Sequence, residues 1–170
     1  FYKSYDSLST SYVQSNLELD LSKSWHAIAA YDLVFKKDFR VKTELYYQYL
    51  YNIPIDETSP NSFSLLNAGN DIEGLPLADS LTNHGTGSNR GVEFTVEKFF
   101  SKRYYFLTSV SLYQADYIAS DGKSRPSAFS GGYVYNQLAG YELPVGKKKN
   151  MLLALDLKFT LAAGNRFTPI

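Results

Sequence analysis

Between Asn89 and Gln114 apolar side chains fall on alternate positions of two runs joined by Ser101-Lys102-Arg103. Val92, Phe94 and Val96 alternate with Glu93, Thr95 and Glu97. Tyr104, Phe106, Thr108, Val110 and Leu112 then alternate with Tyr105, Leu107, Ser109, Ser111 and Tyr113. A period of two sends successive side chains to opposite faces of an extended strand, so the runs predict an antiparallel hairpin closed by a tight polar turn. Each run, Asn89–Phe100 and Tyr104–Gln114, exceeds the about 5–6 residues of a typical globular strand. Each also meets the about 9–11 residues that a tilted strand needs to cross a bilayer.

The same pattern recurs on both sides of this hairpin. Trp25, Ala27, Ala29, Tyr31, Leu33 and Phe35 form one face of a strand whose other face is His26, Ile28, Ala30, Asp32 and Val34. After the polar turn Lys36-Lys37-Asp38, the positions Val41, Thr43, Leu45, Tyr47, Tyr49 and Tyr51 alternate with Arg40, Lys42, Glu44, Tyr46 and Gln48. Tyr133–Leu143 is a less clean strand, with apolar residues on both phases. Past the basic turn Pro144–Asn150, Met151, Leu153, Leu155, Leu157, Phe159 and Leu161 oppose Ala154, Asp156, Lys158 and Thr160. Strands are therefore expected near 24–35, 40–51, 89–100, 104–114, 132–143 and 151–162, with 1–23 an external loop region. The connections alternate in length. Asn52–Ser88, with Pro54, Pro60, Pro76 and several glycines, and Ala115–Gly131, with Ser120-Asp121-Gly122-Lys123, are long; the other three are short. Connections beyond about 12–15 residues are usually functional or disordered. An up-and-down barrel that keeps tight turns on one side of a membrane and long loops on the other has this layout.

Charge placement strengthens that expectation. On the faces read as outward, Lys98 is the one charged side chain, beside a turn where its stem would snorkel to the interface. The opposite faces carry Asp32, Arg40, Lys42, Glu44, Glu93, Glu97, Glu142, Asp156 and Lys158. Arg or Lys facing the bilayer midplane costs about 2–4 kcal/mol, whereas a wet lumen imposes no such cost. Aromatic residues near strand ends, among them Trp25, Tyr49, Tyr51, Phe100, Tyr104 and Tyr133, match interfacial girdles. Composition agrees: 15 Tyr and 11 Phe against one Trp and one Met make a chain suited to sheet surfaces and membrane interfaces. No apolar window of about 18 residues predicts a transmembrane helix. Lys plus Arg and Asp plus Glu are 17 each, so no basic excess points to nucleic acid, and the lack of cysteine removes disulfides and thiol chemistry. The chain opens at Phe1 with no apolar leader and stops at Ile170 just past a strand, so both ends read as cut. Six strands are fewer than the about eight with which single-chain barrels begin, so an all-β, antiparallel up-and-down transmembrane β-barrel segment is expected, one sector of a larger barrel.

Candidate chemistry is sparse. Glu93 and Glu97 share a strand face about 13 Å apart, beyond the about 5–9.5 Å of a glycoside-hydrolase carboxyl pair. His26 and His84 are the only histidines, one at a strand mouth and one in a long loop, which argues against a shared metal. Asp116 and Asp121 offer oxygen ligands to calcium, against the simpler reading of an Asp-Gly turn. Lys147-Lys148-Lys149 reads as a solvated turn at a membrane surface. No catalytic, metal or cofactor residue is assigned, and substrate contacts are left unassigned. The best candidate for ligand contact is Asn52–Ser88, whose Leu65, Leu66, Leu75, Leu77 and Leu81 suggest a compact fold over the mouth.

Several stretches resemble one known family. They are Leu45-Tyr46-Tyr47-Gln48-Tyr49-Leu50-Tyr51, Ser62–Gly69, Asn83–Glu93, Glu97-Lys98-Phe99-Phe100, Ser120-Asp121-Gly122, Leu138-Ala139-Gly140-Tyr141-Glu142 and Gly164–Ile170. Together they are similar to the barrel of Bacteroidetes-type TonB-dependent receptors, over most of the chain after about Asn16. The resemblance implies a sector of a 22-stranded barrel in the outer membrane of a Gram-negative bacterium, without its plug or terminal strands. It implies energised nutrient uptake and no enzyme activity. The implied partners are the lipid bilayer, the receptor's own plug domain and remaining strands, the TonB energy-coupling protein and a surface lipoprotein, with no nucleic acid. Two other readings stay open on the residues themselves. One is a barrel scaffold anchoring a surface or secretion complex, and the other a soluble carbohydrate-binding β-sandwich.

Overall fold

A computed structural model describes residues 4–6, 10–13, 16–58, 63–68, 80–147 and 149–164. Two short strands, β1 (Ser4–Asp6) and β2 (Ser11–Val13), pair with each other. The remainder is one antiparallel sheet. Its long strands are β3 (Lys23–Phe35), β4 (Phe39–Asp56), β5 (Leu81–Ser101), β6 (Tyr104–Ile118), β8 (Tyr133–Val145) and β9 (Met151–Ala162). They lie in chain order, β3-β4-β5-β6-β8-β9, and β7 (Ser124–Pro126) pairs with the end of β6. The protein is thus all-β, an antiparallel up-and-down sheet of seven strands that does not close on itself.

Register places the alternating side chains on two distinct faces. Ala29, Leu45, Val92, Leu112 and Tyr133 are successive cross-strand partners, as are Ala139 and Leu157 further along. One residue on, Ala30, Glu44, Glu93, Ser111 and Val134 are partners on the opposite face. The first face is apolar and aromatic; the second holds all nine of the ionisable side chains from Asp32 to Lys158 named above.

The strands outrun their expected ends at the long-loop side. β4 continues past Tyr51 to Asp56 because a bulge at Asn52 (φ 55°) absorbs the break in alternation and re-aims Ile53 and Ile55. β5 starts at Leu81, so its glycines 85 and 87 lie inside a strand, where they had read as loop residues. Gly85 sits against Ile53 and Ile55, and Gly87 against Leu66, too close for any side chain. The connections are accordingly shorter than expected, 57–80 and 119–132, and the second carries β7. The region before β3, expected as loop, contains the β1–β2 pair.

At the other edge the turns are tight. Lys102 (φ 51°) and Arg103 (φ 74°) are both left-handed between the paired Ser101 and Tyr104, the geometry of a type I′ hairpin turn. Lys36 and Lys37 are left-handed as well.

The buried apolar residues, Ile53, Ile55, Leu81, Tyr117 and Ala119, sit at the long-loop end. No second layer covers the sheet among the described residues. β3 and β9, at its two edges, are exposed along their whole length.

Candidate functional site

Three places gather polar or charged groups: the polar face, the long-loop end and the short-turn edge. On the polar face charges pair both between strands and along a strand. Arg40 donates to both carboxylate oxygens of Asp32 (2.9 and 2.6 Å) and approaches Glu97 at 3.8 Å. Lys42 meets Glu44 at 2.6 Å, which offsets the like charge of Glu93 directly opposite Glu44. Gln48 bridges His26 (2.9 Å) and Asn89 (2.7 Å). Ser111 donates to Glu93, and Thr160, Asn136 and Ser109 form a chain across three strands. Two tyrosines lie flat across glycines of the neighbouring strand, Tyr46 over Gly91 and Tyr105 over Gly140, and Tyr105 donates to Asp156 at 2.7 Å. Most of these groups keep partial contact with solvent, so the face is a hydrated hydrogen-bonding surface. The carboxylates do not converge. Glu93 and Glu97 have separate partners on neighbouring strands.

The long-loop end holds the buried apolar cluster of the described residues. Ile55, Tyr117 and Ala119 pack with Leu66, which follows Ser64 in a short 3-10 turn, Leu65–Asn67. Asn67 ties the two long connections together, donating to the Tyr117 hydroxyl (3.4 Å) and accepting from the Ala128 N–H (2.8 Å). Ser130 accepts from the Ala115 N–H, and Ser127 donates to the Ala115 carbonyl. Leu66 and Leu81 are therefore packed, Leu65 is exposed, and Leu75 and Leu77 lie outside the described residues.

Hydrogen bonds hold two acids in this region, Glu57 and Asp121, below the ordinary carboxylate range. The His84 ring, 2.6 Å away, does so for Glu57. The Arg125 guanidinium, with the Lys123 N–H, does so for Asp121. Asp121 thus spends its carboxylate on closing its own Asp-Gly turn, where Gly122 takes φ 69°. Asp116 accepts from Arg90 and Gln114. The described residues contain no group of three metal-ligating side chains, and His26 and His84 have separate partners, Gln48 and Glu57.

At the turn edge Lys98 departs from expectation. Its Nζ does not reach outward to an interface. The residue is 2% exposed, and Nζ donates to the carbonyls of Phe99, Ser101 and Tyr104 and to the Ser101 hydroxyl (2.7 Å), with Asp38 at 3.5 Å. The Tyr104 ring lies 4.1 Å from Nζ. Asp38, held below the usual carboxylate range by the Ser101 hydroxyl and Lys98, completes the cage. The cage joins the two turns and grips the carbonyls beside the left-handed pair Lys102-Arg103. Lys147 and Lys149 are exposed at the third turn, and Lys148 lies outside the described residues.

None of the known family models, curated proteins or solved structures matches this chain.

Lys23, Arg90 and Asp116 add three charges to the face on which the sequence reading allowed only Lys98; Lys23 pairs with Tyr51, and Asp116 with Ser88. Arg90 pairs with Tyr47 and Gln114 in register and so shares a face with Val92, Phe94 and Val96. It had been missed because the alternation was counted from Val92. Arg90 lies at the long-loop end and Lys98 at the turn end, so the stretch between them is uncharged. Aromatic rings mark the same two levels. Trp25 packs on Tyr47 and Tyr49 (5.4 and 6.2 Å between centroids), and Tyr49 stacks on Tyr51. At the other end Phe39 contacts Phe35 and Phe106 (5.5 and 6.1 Å). Sequence reasoning also missed the Tyr–Gly pairs; a glycine amid a strand, as at Gly91 and Gly140, was the available signal.

Proposed function

We propose that this sheet is a wall sector of an outer-membrane β-barrel that serves energised nutrient uptake in a Gram-negative bacterium. The observation that carries the membrane part is the two-faced sheet. One face exposes Leu45, Phe94, Leu112, Leu153, Leu155, Leu157 and Phe159 with nothing packed on it among the described residues, while the other is lined with paired charges. From Phe39 to Tyr49, the two aromatic levels are about 33 Å apart along β4. At a strand tilt of about 45° the vertical separation is about 23 Å, close to the about 25 Å apolar band of such barrels. Three polar groups on this face, Thr108, Tyr135 and Gln137, are satisfied within it. Thr108 and Tyr135 both donate to Gln137, which is what hydrocarbon requires.

The exposed edges β3 and β9 support a larger barrel, because unpaired backbone groups cannot face lipid. Further strands on both sides would close the wall, the polar face would line the lumen, and the cluster around Ile55 and Tyr117 would shape the outer mouth. The uptake assignment rests on the resemblance of the strand and loop motifs to TonB-dependent receptors. In that mechanism external loops bind solute, a plug rearranges through the energy-coupling protein, and solute passes the hydrated face. This sector forms no bonds to substrate that the residues identify, and carries out no bond chemistry.

The test is to place a photo-crosslinking amino acid at Glu93 in the intact protein isolated from outer membranes. Crosslinking to a plug within a polypeptide several times longer than 170 residues is the expected result. A folded monomer that needs no detergent would overturn the membrane reading. A barrel with no plug would replace uptake by a scaffold role.

A further inference from the structure

The apolar face is not smooth near the short turns. Ala139 lies between Phe106 and Leu157 in register, and Tyr104, Tyr141 and Leu155 form the next row toward the turns. A methyl group amid five large side chains leaves a slot one side chain wide, with a volume of about 540 Å³ lined by these six residues and the backbone beneath them. The slot is shallow and open along the uncovered face of the sheet, and its walls are almost wholly apolar.

The slot ends at a strongly basic edge. Tyr104 directly follows Lys102-Arg103, and the Arg103 carbonyl accepts from the Glu142 N–H, which holds that turn over the end of the slot. Lys102 and Arg103 are exposed, as are Lys36, Lys37, Lys147 and Lys149 on the neighbouring turns. The one acid in the first two turns, Asp38, is engaged by Lys98 and Ser101. Among the described residues no ion pair or hydrogen bond joins the Lys102 or Arg103 side chain to a carboxylate.

We infer that this slot and turn form a binding site for an anionic phospholipid of the leaflet facing the short turns. The acyl chain lies over Ala139 between Phe106 and Leu157, and the headgroup phosphate sits by Lys102 and Arg103. The inference rests on the membrane reading above. An apolar slot alone would take any chain; the unneutralised cations select the charge.

The intact protein in neutral detergent, offered equal phosphatidylglycerol and phosphatidylcholine and examined by native mass spectrometry, is expected to retain phosphatidylglycerol preferentially. Each cation contributes about fivefold. The double change Lys102→Gln with Arg103→Gln should abolish the preference. The same change at Lys36 and Lys37 should leave it intact, and Ala139→Phe should reduce retention of both lipids. Equal retention of the two lipids by the wild type, unaltered retention in Ala139→Phe, or an equal loss from the Lys36 and Lys37 change would each overturn the site. Flotation with phosphatidylcholine vesicles separates the two readings. Flotation without headgroup preference sinks only this inference, whereas failure to float sinks the membrane reading and this inference with it.

Discussion

Gly91 shows how a single missing side chain organises the polar face. A methyl group there would come within 2.5 Å of the Tyr46 hydroxyl and 2.7 Å of the Leu112 carbonyl oxygen. The second contact is backbone and cannot swing away. Gly91→Ala is therefore expected to destabilise the sheet by about 1–3 kcal/mol, read as a lower urea midpoint for unfolding in detergent; an unchanged midpoint would mean that Tyr46 does not lie across the glycine. Lys98 makes the opposite point. A cation on an apolar face suggested snorkelling, because sequence does not reveal that three carbonyls and Asp38 converge on one ammonium. Lys98→Met should cost about 2–3 kcal/mol and speed exchange of the Phe99 amide, which donates to the Asp38 carbonyl, without touching the loop end. Asp38 adds a pH dependence. Its pKa is lower folded than unfolded, so its contribution is complete above the ordinary carboxylate range and fades as pH falls toward the folded value. Turn-edge exchange should quicken on acidification in wild type and respond less in Asp38→Asn.

At the scale of elements, strands were legible where alternation was strict and illegible where a bulge reset it. β3 and β9 keep one phase from end to end, and the sequence located both closely. β4 changes phase at Asn52, and Pro54 beyond it mimics a loop; the strand nevertheless runs on to Asp56, because Ile53 and Ile55 bury against Gly85 of β5. Likewise Gly85 and Gly87 look like loop residues until a neighbouring side chain is seen to occupy their space. Of the leucines expected to pack over the long-loop end, Leu66 and Leu81 do and Leu65 does not; the role of Asn67 was not foreseen, since its partners Tyr117 and Ala128 are remote in sequence. Asn67→Ala should deprotect the Ala128 amide in hydrogen exchange while the centre of β6 stays protected. Uniform deprotection of β6 would contradict the view of the loop end as a separate cap. Ile55→Ala, at a side chain 1% exposed, should cost about 2–4 kcal/mol and loosen both long connections together.

For the whole molecule, two features belong to no single strand: among the described residues one face has no partner and two edges have no neighbour. An open sheet with leucines outward along β9 would be a liability in water; on the proposed reading a bilayer would cover the face and adjoining strands the edges. Sequence periodicity sufficed to predict the two faces, since register preserves the phase of the alternation from strand to strand. On that reading the total number of strands would be set by contacts beyond β3 and β9, which periodicity within the sheet does not encode. The central claim is that the even positions of β5 from Val92 to Val96 face lipid while the odd ones face water. The chain has no cysteine, so single cysteines at 92, 93, 94, 95, 96 and 97 can be reacted with a water-soluble maleimide after reconstitution into vesicles. Rapid labelling at 93, 95 and 97, with protection at 92, 94 and 96 that detergent lifts, is the predicted result; uniform labelling, or protection of the odd positions, would contradict it.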